Sequence, residues 1–127
     1  MDNKIVGAVS QIASEHGFQC WVIAAADGSV IARGGDFEGL IWPTLVKDLF
    51  GGPDEVKVLF DYLEGKMLPQ LSSQGEVFCV LMKPTKDIVI GAFAQDGRDA
   101  ISLYREGKEV SKALEELLNP EFGNPQT

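Results

Sequence analysis

Residues 20–33 read CWVIAAADGSVIAR and contain two apolar runs that are separated by Asp27-Gly28. The longer run, 18–26, is apolar on both alternating faces after Gln19, which predicts a central strand covered on two sides. Asp-Gly is favoured in two-residue hairpins, because both central residues need positive φ. Residues 29–33 are shorter and more polar, as is typical of an edge strand. The stretch predicts a β-hairpin, and the turn explains Asp27 without a catalytic role.

Helical patterns lie on either side of this hairpin. Asp2 can cap a first helix that runs to about His16. Pro43 suits the first turn of a second helix, and the sequence Gly-Gly-Pro at 51–53 predicts a kink or a break in it. An apolar stripe continues along this helix to Leu63. Either the whole stripe packs on the chain's own sheet, or part of it meets a second subunit, since aromatic side chains are common interface anchors.

The C-terminal half predicts three more strands and a last helix. Residues 76–83 and 88–94 are strongly apolar and predict adjacent strands. Residues 66–73 form either a strand or the end of the second helix, and as a strand they would lie at a sheet edge because of Pro69. The last helix is predicted over 99–118. On its apolar face it carries Gly107, which either allows a close contact with the sheet or marks a bend.

Length and charge limit the class of protein. A chain of 127 residues suits one compact domain, which we expect over 1–118, with a disordered tail over 119–127. The net charge of −8, from 19 acidic and 11 basic residues, argues against nucleic acid and against anionic membrane as partners. No apolar run reaches the roughly 20 residues that span a bilayer. The N-terminus lacks the apolar core of a signal peptide. We therefore expect a cytoplasmic protein without membrane insertion.

Few residues carry catalytic or metal-binding chemistry. Cys20 and Cys79 lie inside apolar runs, which indicates buried thiols, and neither has a Cys or His at metal-ligand spacing. His16 is the single histidine. It is expected in the last turn of the first helix, where the helix dipole favours a positive charge, and this is a sufficient structural reason for it. There is no Walker-type phosphate loop. We expect no catalytic residue, no metal and no cofactor, with an enzyme that uses Cys20 or Asp27 as the weaker alternative.

The element order α-β-β-α-β-β-β-α predicts an α+β fold, with a five-stranded antiparallel sheet and helices packed on it in profilin-like or longin-like layers. Over residues 5–118 the chain resembles the Roadblock (dynein light chain) family. The resemblance rests on the strand-DG-strand pair at 22–33, the apolar helix after it, and the hairpin VFCVLMKPTKDIVIGAFA at 77–94 before a final helix. A longer segment before that hairpin, and Pro69 in the third strand, depart from the family pattern.

The resemblance implies a non-enzymatic dimeric regulator or adaptor. Roadblock proteins form homodimers or heterodimers in which the second helices pack together and the third strands pair into one continuous sheet. Bacterial and archaeal members commonly bind a Ras-like small GTPase and sometimes raise its hydrolysis rate. The implied partners are the chain itself or a paralogous subunit, and a small GTPase. The implied dimer interface comprises Trp42, Leu45, Leu49, Val56, Leu59, Phe60, Leu63, Met67 and Leu68.

The family's sheet order, 2-1-5-4-3, separates Cys20 and Cys79 by one strand. Two strand spacings are about 9–10 Å, which is too far for a disulfide.

A regulator that accelerates GTP hydrolysis could donate an arginine or order its partner's own residues. The arginines are Arg33, Arg98 and Arg105, and surface solvation accounts for all three. The alternative function is another profilin-like or longin-like interaction domain, such as an actin-binding profilin.

Overall fold

The computed structural model describes residues 2–122 of the chain. The helices and strands in chain order are α1 (Asn3–Glu15), β1 (Cys20–Ala25), β2 (Val30–Gly35), α2 (Thr44–Phe50), α3 (Pro53–Leu63), β3 (Gln70–Gln74), β4 (Val77–Thr85), β5 (Ile88–Ala94) and α4 (Ala100–Phe122). The strands form one antiparallel sheet in the order β2-β1-β5-β4-β3. This confirms the predicted α+β class and the sheet order implied by the Roadblock resemblance.

The sheet is covered on both faces, because successive side chains of a strand point to opposite sides. Trp21 and Ile23 of β1 lie in the core under α1 and α4. Val22, between them, lies in the second core under α2 and α3. All seven residues of β5 are buried, as its continuous apolar sequence predicts for a strand between two layers.

The turn between β1 and β2 differs from the predicted two-residue turn. The connection has four residues, 26–29, and of its residues only Gly28 has positive φ, at 97°. The amide of Gly28 donates to the carbonyl of Ala25 at 2.9 Å. The carboxylate of Asp27 accepts from the amide of Ser29 at 2.9 Å and from its hydroxyl at 2.6 Å. This local hydrogen bonding by an Asp side chain stabilises the longer turn.

The strand β2 continues to Gly35, two residues beyond its predicted end at Arg33. Gly34 lies against the indole of Trp21, where a Cβ would stand 2.6 Å from Cζ2. Gly35 has a φ of 90° and pairs with Cys20. Gly34 thus lets the strand approach a buried tryptophan closely, and Gly35 allows the positive φ at the end of the strand.

The second predicted helix is two helices, α2 and α3, so the predicted break at 51–53 is confirmed. Gly52 is extended at the N-cap of α3, with φ of −173°. Pro53 occupies the first turn of α3. Proline is tolerated there because the N–H groups of the first turn make no hydrogen bond within the helix. The predicted first helix also agrees with the structure, since the side chain of Asp2 caps α1 by accepting from the amide of Lys4 at 2.8 Å.

The uncertain segment 66–73 contains the strand β3, which spans Gln70–Gln74. Pro69 lies one residue before it, so every residue of β3 keeps its amide N–H. Pro69 therefore lies outside the third strand, and the expected departure from the family pattern at this position is not found.

The strand β4 runs to Thr85 and leaves only Lys86 and Asp87 before β5, rather than the four residues expected. Its pairing with β5 is irregular between Met82 and Thr85. Pro84 lies in this irregular stretch, where a missing donor disturbs the ladder least.

The last helix extends beyond its predicted end at Leu118, which is buried and anchors the final turns. Four residues of the expected tail, 119–122, are helical, and residues 123–127 lie outside the described part of the chain. Gly107 lies directly on β4, where a Cβ would be 2.6 Å from Cγ1 of Val80. The glycine thus permits a close contact between helix and sheet, the first of the two predicted roles. No helix within residues 2–122 is long and apolar enough to cross a membrane.

Candidate functional site

An apolar groove of about 280 Å³ lies between α3 and the strand β3 at the edge of the sheet. Val58 and Tyr62 form its helical wall, and Leu71 and Ser72 form its strand wall. Leu59 and Leu81 are also in its lining and are buried. We call this region the β3 groove. Its acidic rim consists of Asp48 and Glu55.

The helix α3 has a second apolar face, which forms the wall of the β3 groove. Val56, Leu59 and Leu63 follow the i, i+3, i+7 spacing and are buried against the sheet. Val58 and Tyr62 are four residues apart, so they lie together on a different face, where they are 66% and 52% exposed. Because the sheet occupies only the first face, the second leaves large apolar groups in contact with water.

The strand β3 adds a free edge to this surface. Within the described residues it pairs with β4 alone, and its sequence QLSSQ contains neither a charged residue nor a proline. Sheet edges are commonly protected from further pairing by such residues. At the other edge, β2 carries Arg33 and ends in two glycines. The β3 edge is therefore the one whose sequence suits pairing with another strand.

The nine residues predicted for a dimer interface divide into three groups by burial. Four are buried in the chain's own core: Leu45, Val56, Leu59 and Leu63. Three are partly buried against that core: Leu49, Phe60 and Leu68. Two are exposed: Trp42 and Met67. Most of the apolar stripe thus packs on its own sheet, and the large apolar groups that α3 leaves exposed, Val58 and Tyr62, are not among the nine predicted residues. Their i, i+4 spacing could have identified them.

Trp42 and Met67 lie at opposite ends of the helices α2 and α3. The indole of Trp42 packs against Gly75 in the turn after β3, where a Cβ would be 2.2 Å from Nε1. The hydroxyl of Thr44 donates to the side-chain oxygen of Gln74, which further joins the start of α2 to the end of β3. Met67 is 77% exposed just before β3. Both exposed residues therefore flank the edge strand.

A basic cleft of about 530 Å³ lies at the C-terminal end of α3. Lys66, Lys83 and Lys86 line it, together with Leu63 and the single acid Glu64 among its lining residues. The carbonyl end of a helix favours cations, which agrees with this position. On a chain with a net charge of −8, three lysines in one cleft form a local basic surface that suits an acidic group of a partner.

The surroundings of Cys20, Cys79 and Asp27 account for these residues without a catalytic role. Cys20 and Cys79 are free and buried, and β5 separates their strands as expected. Burial raises the pKa of Cys20 to about 12, and it raises that of Cys79 well above its ordinary value. Hydrogen bonds from Ser29 lower the pKa of Asp27. Neutral buried thiols are poor nucleophiles, and the Asp27 carboxylate is engaged by its own turn.

Arg98 has a structural role that its place in a turn of the sequence did not predict. Its guanidinium donates to the carbonyls of His16 and Gly17, both at 2.8 Å, at the C-terminal end of α1. It also pairs with the carboxylate of Asp96 at 2.9 Å. These contacts satisfy carbonyls that a helix end leaves without partners. They hold the guanidinium against the protein, so Arg98 is poorly placed to project toward a partner.

Solved structures with this fold include the MglB protein of Myxococcus xanthus. The TM-score is 0.63 at 12% identity, over 93% of this chain and 97% of that one. A structure described as MglB with a tetrameric arrangement matches with a TM-score of 0.63 at 11% identity, over 94% of each chain. A Roadblock/LC7 domain from Streptomyces avermitilis matches with a TM-score of 0.51 at 15% identity, over 86% of this chain and 92% of that one.

No protein-family model and no curated protein matches the sequence. At identities this low, similarity to solved structures shows the fold alone. The chain has the Roadblock fold, as the resemblance in its sequence implied.

Proposed function

We propose that this protein is a non-enzymatic, dimeric regulator or adaptor that binds a Ras-like small GTPase in the cytoplasm. The second subunit is another copy of the chain or a paralogous chain. The Roadblock fold and its similarity to MglB structures support the regulatory class. The observation that carries the proposal is the β3 groove, an exposed apolar surface beside an unprotected strand edge.

A second copy related by a two-fold axis would fit this surface. Two β3 strands pairing along their free edges would extend the sheet from one subunit into the other. The same operation would bring the exposed faces of two α3 helices together and remove Val58 and Tyr62 from water. Burial of large apolar side chains is the main favourable term in such association. An actin-binding profilin, the alternative function, would not require this groove to be covered by a second copy.

The dimer is tested by the solution mass of the wild type and of a Val58→Asp variant, measured by light scattering over a range of concentrations. Val58 is 66% exposed, so an aspartate there should leave the fold intact and place a charge inside the interface. The matched control is Ile101→Asp, because Ile101 is 65% exposed on α4, on the other side of the sheet.

We expect a dimeric wild type, a dimeric Ile101→Asp variant and a folded, monomeric Val58→Asp variant, with circular dichroism as the check on folding. A wild type that stays monomeric at all concentrations would contradict the homodimer. A Val58→Asp variant that remains dimeric would place the interface elsewhere. Variants at Leu59 or Leu63 are unsuitable for this test, since both side chains are buried in the core of one chain.

The GTPase partner is tested by binding to Ras-like GTPases from the same organism, each loaded with GDP or with a non-hydrolysable GTP analogue. We expect one GTPase to bind in a nucleotide-dependent manner. Lack of binding by every Ras-like GTPase of that organism, in both nucleotide states, would contradict the regulator and favour an adaptor for other proteins.

The same GTPase distinguishes two ways of accelerating hydrolysis. The guanidinium of Arg33 lies 4.1 Å from the ring centroid of Phe37, and Arg98 is bound to the end of α1. We therefore expect hydrolysis, if it is accelerated, to persist in Arg33→Ala and Arg105→Ala variants, because the regulator orders the partner's own residues. A loss of about 10³-fold or more in one variant would instead identify a donated arginine.

A further inference from the structure

A cluster of three metal-ligating side chains joins α1 to α4 on the sheet face opposite the β3 groove. Nδ1 of His16 contacts Oε2 of Glu106 and lies 3.8 Å from Oε2 of Glu109. One ligand atom from each of the three residues lies within 4.8 Å of the others. Metal bonds from nitrogen and oxygen are about 2.0–2.2 Å, so small side-chain adjustments would bring all three atoms onto one ion.

Two packed helices supply the backbone positions of this cluster. His16 is the C-cap residue of α1, and its carbonyl accepts from Nη1 of Arg98 at 2.8 Å. Glu106 and Glu109 are three residues apart on α4, so they share one face of that helix. The ligands therefore come from two helices that are already packed together, and an ion would not have to assemble them from a mobile loop.

Arg105 and Lys112 each lie one helical turn from Glu109, and within residues 2–119 neither comes within ion-pair distance of its carboxylate. Within residues 2–119, whose side chains the structure describes, the ion pairs of Glu106 and Glu109 are made with His16 alone. A protonated His16 supplies one positive charge for two carboxylates, and a neutral His16 supplies none. The C-terminal end of α1 adds a further partial negative charge beside the imidazole. A divalent cation among the three side chains would give both carboxylates a positive charge in direct contact.

We propose that His16, Glu106 and Glu109 bind one divalent transition-metal ion of the Zn²⁺ class. Imidazole is a poor ligand for Mg²⁺ and Ca²⁺, which prefer oxygen, whereas one nitrogen and two carboxylate oxygens suit Zn²⁺ or Mn²⁺. Three protein ligands leave a further position for water. The bound ion links α1 to α4 and stabilises this layer of the fold, independently of the GTPase regulator proposed above.

The test is a calorimetric titration of the metal-free protein with ZnCl₂, followed by thermal unfolding with and without Zn²⁺. We expect one saturable site per chain and a higher Tm with the metal, since an ion that binds only the folded state stabilises it. His16→Gln and Glu109→Gln should each weaken binding by at least about tenfold and remove the shift in Tm. Co²⁺ bound in place of Zn²⁺ should give a visible absorption spectrum that is lost in the same variants.

The matched control is Glu116→Gln, which removes an exposed carboxylate from the same helix away from His16. It should bind Zn²⁺ as the wild type does. A wild type without saturable Zn²⁺ binding would overturn the proposal and leave a His16–Glu106 ion pair. Equal binding by the wild type and the His16→Gln variant would overturn it as well. Binding of Mg²⁺ as tight as that of Zn²⁺ would refute the assignment to a transition metal.

Discussion

Two glycines in helices provide a quantitative test of how closely α4 lies on the sheet. Gly107 of α4 is buried, and a Cβ there would be 2.6 Å from Cγ1 of Val80 and 3.2 Å from Cγ of Pro69. Gly7 of α1 is exposed, and a Cβ there would have no heavy atom within 4 Å. The substitution Gly→Ala at these positions therefore changes the helix propensity in the same way and differs in steric cost.

The expected magnitudes follow from this difference. Alanine favours a helix over glycine by about 1 kcal/mol, so Gly7→Ala should stabilise the protein by roughly that amount. At Gly107 the same gain is opposed by overpacking against Val80, which typically costs about 1–3 kcal/mol. The free energy of unfolding should thus be lower in Gly107→Ala than in Gly7→Ala by about 1–3 kcal/mol. For a domain of this size the difference in Tm is roughly 4–12 °C.

Both variants and the wild type are unfolded by heat and by urea at one protein concentration, because association would make the Tm depend on concentration. A Val80→Ala background removes the Cγ1 atom, so Gly107→Ala should be better tolerated in the double variant. A Gly107→Ala variant whose Tm rises as much as that of Gly7→Ala would contradict this packing, since α4 would then lie farther from β4 than the structure places it.

Three further outcomes follow from burial and hydrogen bonding. The thiol of Cys20 should resist iodoacetamide at pH 8 in the folded protein and react after unfolding. The pKa of this thiol is raised from 9.0 to about 12 in the folded state. The free energy of unfolding should therefore fall as the pH rises above 9.0, because there only the unfolded chain loses the proton. Rapid labelling of the native protein would contradict the burial of Cys20. The pKa of Asp27, measured by NMR, should lie below 3.8 and should rise toward that value in a Ser29→Ala variant. The stability that the Ser29–Asp27 hydrogen bond contributes should be lost as the pH falls below 3.8 through the folded-state pKa. An unchanged pKa in the variant would rule out the hydroxyl as its cause. Leu59→Ala should lower the free energy of unfolding by about 2–5 kcal/mol, measured by urea unfolding of a dissociated sample, and Val58→Ala should lower it by less than about 0.5 kcal/mol. Similar costs for the two variants would mean that the two faces of α3 are wrongly assigned.

Much of the fold could be predicted from the sequence, because it depends on local patterns. The apolar run of β5, the cap at Asp2 and the break at 51–53 each reflect a preference of neighbouring residues. The predicted strand at 88–94 has the same bounds as β5 in the structure. The sheet order came from the resemblance to a family, since no local pattern specifies which strands are neighbours.

The details of the candidate surfaces depend on contacts between distant residues. Residues 56–63 contain two apolar faces, and helical periodicity cannot tell which one meets the sheet. Docking of α3 over β4 and β5 buries Leu59 and leaves Val58 in water.

The cluster at His16 likewise requires α4 to return beside α1, across 90 residues of chain. Sequence alone determined which segments are helices and strands and which residues are apolar, because these properties depend on neighbours in the chain. Only the tertiary structure decided which apolar face remains available and which ionisable groups meet, because both depend on how the helices pack on the sheet.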